Sequence, residues 1–462
     1  MSLISRRTVL CGLASAAGLA AMPLRAAEAT TLTARVSSAQ LAPPGYAPTE
    51  VWSYDGGIPG PLIRARQGDR IVRRLQNDLP VPTSVHWHGI RIDNAMDGVA
   101  DLTQAPAAPG ESFDYDFAVP DAGTYWYHAH KNSFEQVARG LSGPLIVDEI
   151  DPPDVDRDEV LMLDDWLLNP EDGQFAQPFG HMMSLSHGGR LGNLLGTNGQ
   201  FDMSLPVKSG ERMRLRLINA SNARIFVLNL TGLDGWTVAL DGMPLDAPAP
   251  VESEIILAPA QRVDLIVDVT AADGDIAALL RFDDDDQWRP QVRMPVAGTA
   301  TKAKRAAPSP LPPNPGMEIP GLKDARRLDM AMEGGAMGRM SGAMMNGNRM
   351  GFRQMAQQGQ FWALAGQVGM TDTPFADLDR GETLRLKITN DTAFAHAMHL
   401  HGMHFRQVAE DGTLGPMRDT ILSYPDEPLE IAFVAENPGK WLFHCHMLGH
   451  AASGMTTWIN VT

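Results

Sequence analysis

Cys445 stands in the run His444-Cys445-His446-Met447-Leu448-Gly449-His450-Ala451-Ala452-Ser453-Gly454-Met455, and these residue types at this spacing are metal donors. A thiolate, an imidazole five residues on and a thioether ten residues on supply the Cys, one His and weak axial Met of an electron-transfer copper centre. The alternative, a buried structural cysteine with incidental histidines, does not explain that combination. On a β-strand successive side chains point to opposite faces. If Cys445 faces one way, His444 and His446 therefore both face the other. One covalent stretch then joins two metal sites on the order of 10 Å apart.

Three more clusters complete the donor set: His86-Trp87-His88, His128-Ala129-His130 and His396-Ala397-Met398-His399-Leu400-His401-Gly402. The first two sit in strand-like surroundings, which places i and i+2 histidines on one face. Together the four clusters use ten of the thirteen histidines in the chain. A lone His-x-His is weak evidence, but four of them with a thiolate inside one form a strong signal. A structural zinc site is tetrahedral and closed and has no use for eight further imidazoles. Imidazole, thiolate and thioether together suit a redox-cycling copper.

These motifs resemble those of the multicopper oxidases, the laccase and cuprous oxidase family, at residues 86–89, 128–130, 396–402 and 444–455. Because the motifs fall near both ends, the resemblance spans the mature chain. It implies four coppers per chain. A type 1 copper would be held by His396, Cys445, His450 and axial Met455, and a type 2 copper by His86 and His399. A binuclear type 3 pair would be held by His88, His128, His130, His401, His444 and His446. It also implies a route for electrons through Cys445, His444 and His446, with O2 reduced to water at the three-copper cluster. Asp97, in Asn94-Ala95-Met96-Asp97-Gly98-Val99, matches the family's carboxylate near the type 2 copper and is the expected proton relay. Its plainer reading is a turn aspartate ahead of Gly98. Related bacterial enzymes commonly carry a glutamate just after the second type 1 histidine. Here that position is Ala451, which puts more weight on Asp97.

The elements that must position these ligands read as β-structure throughout. Short Val/Ile/Leu/Thr runs bounded by Gly, Pro and Asp recur, and few stretches have helical period. One phrase occurs three times, as Gly68-Asp69 through Asn77, Gly210-Glu211 through Asn219 and Gly381-Glu382 through Asn390. Each is glycine, an acid, an alternating strand and an asparagine, at spacings of 142 and 171 residues. This predicts an all-β chain of three Greek-key sandwich domains, at residues 30–150, 151–298 and 317–462, with a linker at 299–316. The resemblance makes them cupredoxin-like. The first and third carry all the His-x-His clusters, so a cluster of metals must form between them, with the second acting as a spacer.

Residues 1–29 read as a twin-arginine export signal: Ser5-Arg6-Arg7-Thr8-Val9-Leu10, then a small apolar run. Periplasmic location follows, and with Cys11 removed the mature chain cannot form an internal disulfide. The chain carries 38 basic and 55 acidic side chains, net −17, and loss of Arg6, Arg7 and Arg25 takes it to −20. Such a surface argues against nucleic-acid and anionic membrane partners. No stretch of the mature chain reads as a membrane span, and a monomer is expected.

Residues 330–355 contain eight methionines, Met330, Met332, Met337, Met340, Met344, Met345, Met350 and Met355, interleaved with glycines. Thioethers select Cu(I), and the glycines disfavour a core helix, so the insert is expected to recruit Cu(I). Packing of the methionines onto the sandwich is the plain alternative. Two further histidines in His181-Met182-Met183-Ser184-Leu185-Ser186-His187 fix little geometry, and His404 reads as an outer partner or packing residue. The reductant is expected to be Cu(I), oxidised to Cu(II) in copper tolerance. A laccase acting on phenols, aromatic amines or Mn(II) is the second reading, and a non-catalytic cell-envelope cupredoxin scaffold the third.

Overall fold

The computed structural model describes residues 29–462, so the export-signal reading and Cys11 lie outside the described residues. The chain is almost entirely β and forms three successive pairs of sheets. Thr49–Tyr54, Thr30–Ala39, Arg70–Asp78 and Ser112–Ala118 form one four-stranded sheet, facing a second of Ile63–Arg66, Ser142–Asp148, Gly123–Ala129 and Val85–His88. The middle pair runs from Arg157–Trp166 to Trp288–Thr299. In the last pair, Arg326–Gly334 and Thr383–Asn390 belong to one sheet and His396–Leu400 and Gly439–Cys445 to the other. These are cupredoxin-like β-sandwiches.

The repeated phrase has one structural meaning in all three. Arg70–Asp78, Arg212–Asn219 and Thr383–Asn390 each pair parallel with the first strand of their unit and antiparallel with a later one. The leading glycines all have positive φ, at 88°, 76° and 86°, where a Cβ is disfavoured. The acids Asp69, Glu211 and Glu382 each accept a backbone N–H from three residues earlier, closing the turn. The asparagines end the strand. Asn77, Asn219 and Asn390 each accept the N–H two residues on and donate to two carbonyls of neighbouring loops. These side-chain bonds satisfy backbone groups that the ladder leaves unpaired, which is why the residue types recur.

The second unit has its own apolar core, built from residues such as Leu215, Leu265 and Leu279. One continuous core instead runs through the first and third units, from Trp87 and Tyr127 to Met398, Trp441 and Met455. The connector at 299–316 is fixed to the other units. Leu311 packs on Val238 and Ile266, and Asn314 exchanges two hydrogen bonds with the Ala122 backbone at 2.8 and 2.9 Å. In the acidic run Asp283-Asp284-Asp285-Asp286, Asp283 and Asp285 pair with Arg281 and Arg289 at the surface.

The methionine segment departs from expectation. Met330 and Met332 lie on Arg326–Gly334 and are 1% and 0% exposed, inside the shared core. Met340 and Met355 pack with Ala343, Ala363 and Val368 in a smaller cluster. These four are packing residues, which corrects their reading as Cu(I) ligands. The glycines do not keep the segment out of the core. Asn346 and Gly347, at φ 50° and 75°, turn a hairpin between Gly342–Met345 and Asn348–Gly351. Asn-Gly is the strongest short hairpin signal, and reading the segment only for helix propensity passes over it. Of the remaining methionines, Met344, Met345 and Met350 are half-buried and Met337 is exposed.

Candidate metal centres

Two strand pairs assemble the histidines. Val85–His88 runs antiparallel to Gly123–Ala129 and sets His86 opposite His128. His396–Leu400 runs antiparallel to Gly439–Cys445 and sets His399 opposite His444, and Met398 opposite Cys445. The first and third units then interleave their rings. His86 lies over His401 with centroids 3.9 Å apart, and His88 stacks on His399 at 3.8 Å. Three groups of ligand atoms result, each mutually within 4.8 Å: His86, His88 and His399; His88, His128 and His446; His130, His401 and His444. The six histidines that the motifs could only list as one set thus divide into two triads.

Hydrogen bonds from the outer nitrogens orient the rings. Nδ1 of His86, His399, His128 and His444 donates to the carbonyls of Asp97, Asp419, Ala129 and Cys445 at 2.7, 2.9, 3.0 and 2.9 Å. A carbonyl can only accept, so the proton is on Nδ1 and the Nε2 lone pair points inward. Nε2 of His86 and of His399 is buried without any partner. Nε2 of His401 faces Nε2 of His444 at 3.2 Å, and that of His446 faces that of His128 at 3.4 Å. Buried lone pairs that are unpaired or opposed are costly unless a cation satisfies them. Burial, with crowding by neighbouring rings, holds His88, His128, His401, His444 and His446 well below the usual histidine range, and His130 at about 3. That shift favours the neutral form of these six rings, the state in which imidazole binds metal. The donor set fits copper.

The thiolate site uses the other nitrogens. Cys445 Sγ lies 3.6 Å from His396 Nδ1 and 3.7 Å from His450 Nδ1, and the two nitrogens are 3.0 Å apart. His450 Nε2 donates to the His187 carbonyl at 2.6 Å, and His396 Nε2 meets Thr392 Oγ1 at 2.8 Å. Burial pushes the Cys445 thiol up to about 12, so ionising it requires a cation alongside. Met455 is buried in the same core, its N–H on the His450 carbonyl at 3.0 Å and its carbonyl receiving the Cys445 N–H at 3.1 Å. Replacing Met455 by leucine keeps that volume and those backbone bonds but removes the thioether expected to be the weak axial donor. The Met455→Leu protein should stay folded and blue with a raised reduction potential, read by redox titration of the visible band. Loss of copper from that site would show that the thioether is required for binding.

Asp97 lies beneath the cluster. Its carboxylate is 3.0 and 3.2 Å from His401 Nδ1 and 3.3 Å from His86 Nδ1. Gly98 makes this turn possible, because at φ 85° a Cβ there would overlap the Val85 carbonyl.

The sequence reading missed three contributors. Asp419 bonds His88 Nε2 at 3.3 Å and is itself clamped by Arg262. Trp362 packs on His450 and His396 at 4.4 and 5.0 Å. The short helix Met182–Ser186 in the second unit covers the thiolate site. Its Leu185 carbonyl takes Trp362 Nε1 at 2.6 Å and Ser453 Oγ at 3.0 Å. No local motif marks the first two. The His181–His187 run was a signal whose use could not be read from spacing. His404, buried with neither ring nitrogen partnered, lies 3.8 Å from Asp419. Met337 is 78% exposed beside Ala336, whose N–H reaches the Ser186 carbonyl at 2.7 Å.

Comparison with known proteins agrees with this geometry. Family models described as multicopper oxidase match residues 35–151 and 345–462. The chain is 32% identical to a multicopper oxidase, MmcO, of Mycobacterium tuberculosis, over 88% of this chain and 82% of that protein. It is 27% identical to a copper resistance protein A homologue of Pseudomonas syringae pv. tomato, over 98% of each. The crystal structure of a multi-copper oxidase from Pseudomonas thermotolerans superposes with a TM-score of 0.81 at 33% identity, covering 94% of this chain and 98% of that one.

Proposed function

The chain belongs to the multicopper oxidase family, and from that premise we propose that it is an exported oxidase that converts Cu(I) to Cu(II) and reduces O2 to water. The overall balance is four Cu(I), one O2 and four protons to four Cu(II) and two waters. His396, Cys445, His450 and Met455 would hold a type 1 copper, and His86 and His399 a type 2 copper. His88, His128 and His446 would hold one type 3 copper, and His130, His401 and His444 the other. Bound copper supplies the one-electron transfers and the O2 chemistry. The chain contributes geometry and exclusion. Carbonyls fix the tautomers of His86, His399, His128 and His444, Cys445 with His444 and His446 joins the two donor sets covalently, and the Asp97 carboxylate accepts the His401 Nδ1–H at 3.0 Å.

One observation carries the choice of Cu(I). The rings of His396 and His450 are fully buried, so no imidazole edge is open to a bulky phenol. The residues over them are soft donors instead. Met182 and Met183 are 63% and 53% exposed, with His181 exposed beside them, on the helix that leads through His187 to His450 Nε2. Exposed thioethers in an acidic protein suit a Cu(I) ion. The relative named for copper resistance supports the same reading.

Met182→Ser/Met183→Ser, at exposed positions with little cost to stability, should raise the apparent KM for Cu(I) about tenfold, roughly 1.4 kcal/mol of binding. Oxidation of a small phenol should be unchanged or faster, since the same helix screens the type 1 site. If Cu(I) kinetics are unaltered while phenol turnover falls, the laccase reading is the better one. Replacing the whole of residues 330–355 is not a clean test, because Met330, Met332, Met340 and Met355 belong to the core.

A further inference from the structure

We propose that Arg262, from the unit that supplies no imidazole, is a positioning residue for the eight-histidine cluster and acts through Asp419. The inference rests on the ligand assignment above.

Arg262 is fully buried and all five of its N–H groups are used. Nε donates to the Thr124 carbonyl at 3.0 Å, and Nη1 to the Ala260 carbonyl at 3.1 Å and Asp419 Oδ1 at 2.9 Å. Nη2 donates to the Asp241 carbonyl at 2.9 Å and Asp419 Oδ2 at 2.6 Å. One side chain of the second unit thus grips the first unit at Thr124 and the third at Asp419. Only the planar, five-donor guanidinium makes this set of bonds, and lysine cannot.

The grip ends on the histidines. Asp419 Oδ1 lies 3.3 Å from His88 Nε2, and its backbone carbonyl takes His399 Nδ1 at 2.9 Å. Thr420 Oγ1 donates to Asp419 Oδ1 at 2.7 Å and lies 3.1 Å from His399 Nδ1. His88 and His399 are the stacked pair that joins the two strand systems, one ring from each side of the inter-unit boundary. The second unit holds this segment at three more points. Gln261 Nε2 donates to the Thr420 carbonyl at 3.0 Å, while Asp241 Oδ2 receives Arg418 Nε at 2.9 Å and the Thr420 N–H at 3.4 Å.

An independent feature points the same way. Gly89 directly follows His88 at φ 85°, and a Cβ there would run into Arg262 Nη2 and Asp419 Oδ2. The glycine that closes His86-Trp87-His88-Gly89 leaves the room that the arginine–carboxylate pair occupies. The second unit is therefore more than a spacer. It sets the ring positions of His88 and His399, whereas the thiolate site lies beyond its reach through Asp419.

The test is copper loading of full-length Arg262→Lys beside wild type, read by copper stoichiometry, the blue band and the electron paramagnetic resonance of the type 2 copper. The variant should keep the blue band and lose type 2 copper, with affinity at that position falling about 10- to 100-fold as for lost partners of metal-ligating histidines. The residual type 2 signal should show altered hyperfine splitting, which a purely structural role would not produce. Full copper content with unchanged splitting would overturn the inference, as would loss of blue and type 2 copper in equal proportion. If Arg262→Lys does not fold, Asp419→Asn, which preserves volume, decides by the same readouts. Failure of both to fold would assign the network to stability alone and overturn positioning. A wild type that loads without a blue band overturns the ligand assignment itself, whereas a blue, four-copper wild type beside an unaltered variant fails only the role of Arg262.

Discussion

Cys445→Ser should yield a folded, colourless protein without oxidase turnover. Serine nearly matches cysteine in volume, and its hydroxyl can still accept the Met447 N–H that Sγ receives at 3.4 Å. The structural cost is confined to burying one hydroxyl, about 1–3 kcal/mol. A serine hydroxyl is neither soft nor ionised near neutral pH, so the strongest donor of the type 1 set disappears. The Nδ1 atoms of His396 and His450, 3.0 Å apart, remain as a weak two-nitrogen site. His444 at the end of its strand and His446 just beyond it keep their positions, so copper should fall from about four per chain to about three. Absorption spectroscopy, copper analysis and O2 uptake check this together. A blue Cys445→Ser protein, or a colourless wild type with full copper, would refute the type 1 assignment.

The second large effect is expected from Asp97→Asn. Asparagine keeps the shape and an acceptor oxygen for His401 Nδ1, now at 3.0 and 3.2 Å from the carboxylate oxygens, but carries no charge and cannot take up and release a proton. The Asp97 backbone carbonyl continues to orient His86 at 2.7 Å, so ligand geometry should survive. O2 consumption should slow by about a hundredfold or more, the usual weight of a positioned acid–base group. Anaerobic reduction of the type 1 copper should proceed at nearly the wild-type rate, since Asp97 touches only the eight-histidine cluster. Stopped-flow measurement of the two half-reactions separates them. Equal slowing of both, or unaltered O2 turnover, would refute the proton-relay role.

Much of the candidate site was legible because strand geometry is local. In His444-Cys445-His446 the alternation of faces needs no tertiary information, whereas the pairing of His399 with His444 joins strands far apart in the chain and was not legible. The Gly-acid…Asn phrase was legible for the same local reason as that alternation. Its glycine, acid and asparagine serve turns and loop ends within or beside their own strand. The methionine segment was misread where two local signals competed. Its glycines were weighed against a helix, when Asn346-Gly347 called for a hairpin and alternation in Arg326–Gly334 put Met330 and Met332 inward.

By itself, the sequence determined the metal-donor types, the partition of faces around Cys445, the β class and the threefold repeat, because each depends on residues a few positions apart. Tertiary structure alone decided which six imidazoles divide into which triads, which methionines are buried, and how the second unit takes part. His88 meets Asp419 across 331 residues, and Asp97 meets His401 across 304. No periodicity in the chain encodes such contacts. They exist because the first and third units share one apolar core, and because an arginine buried between three units must find all five of its acceptors there.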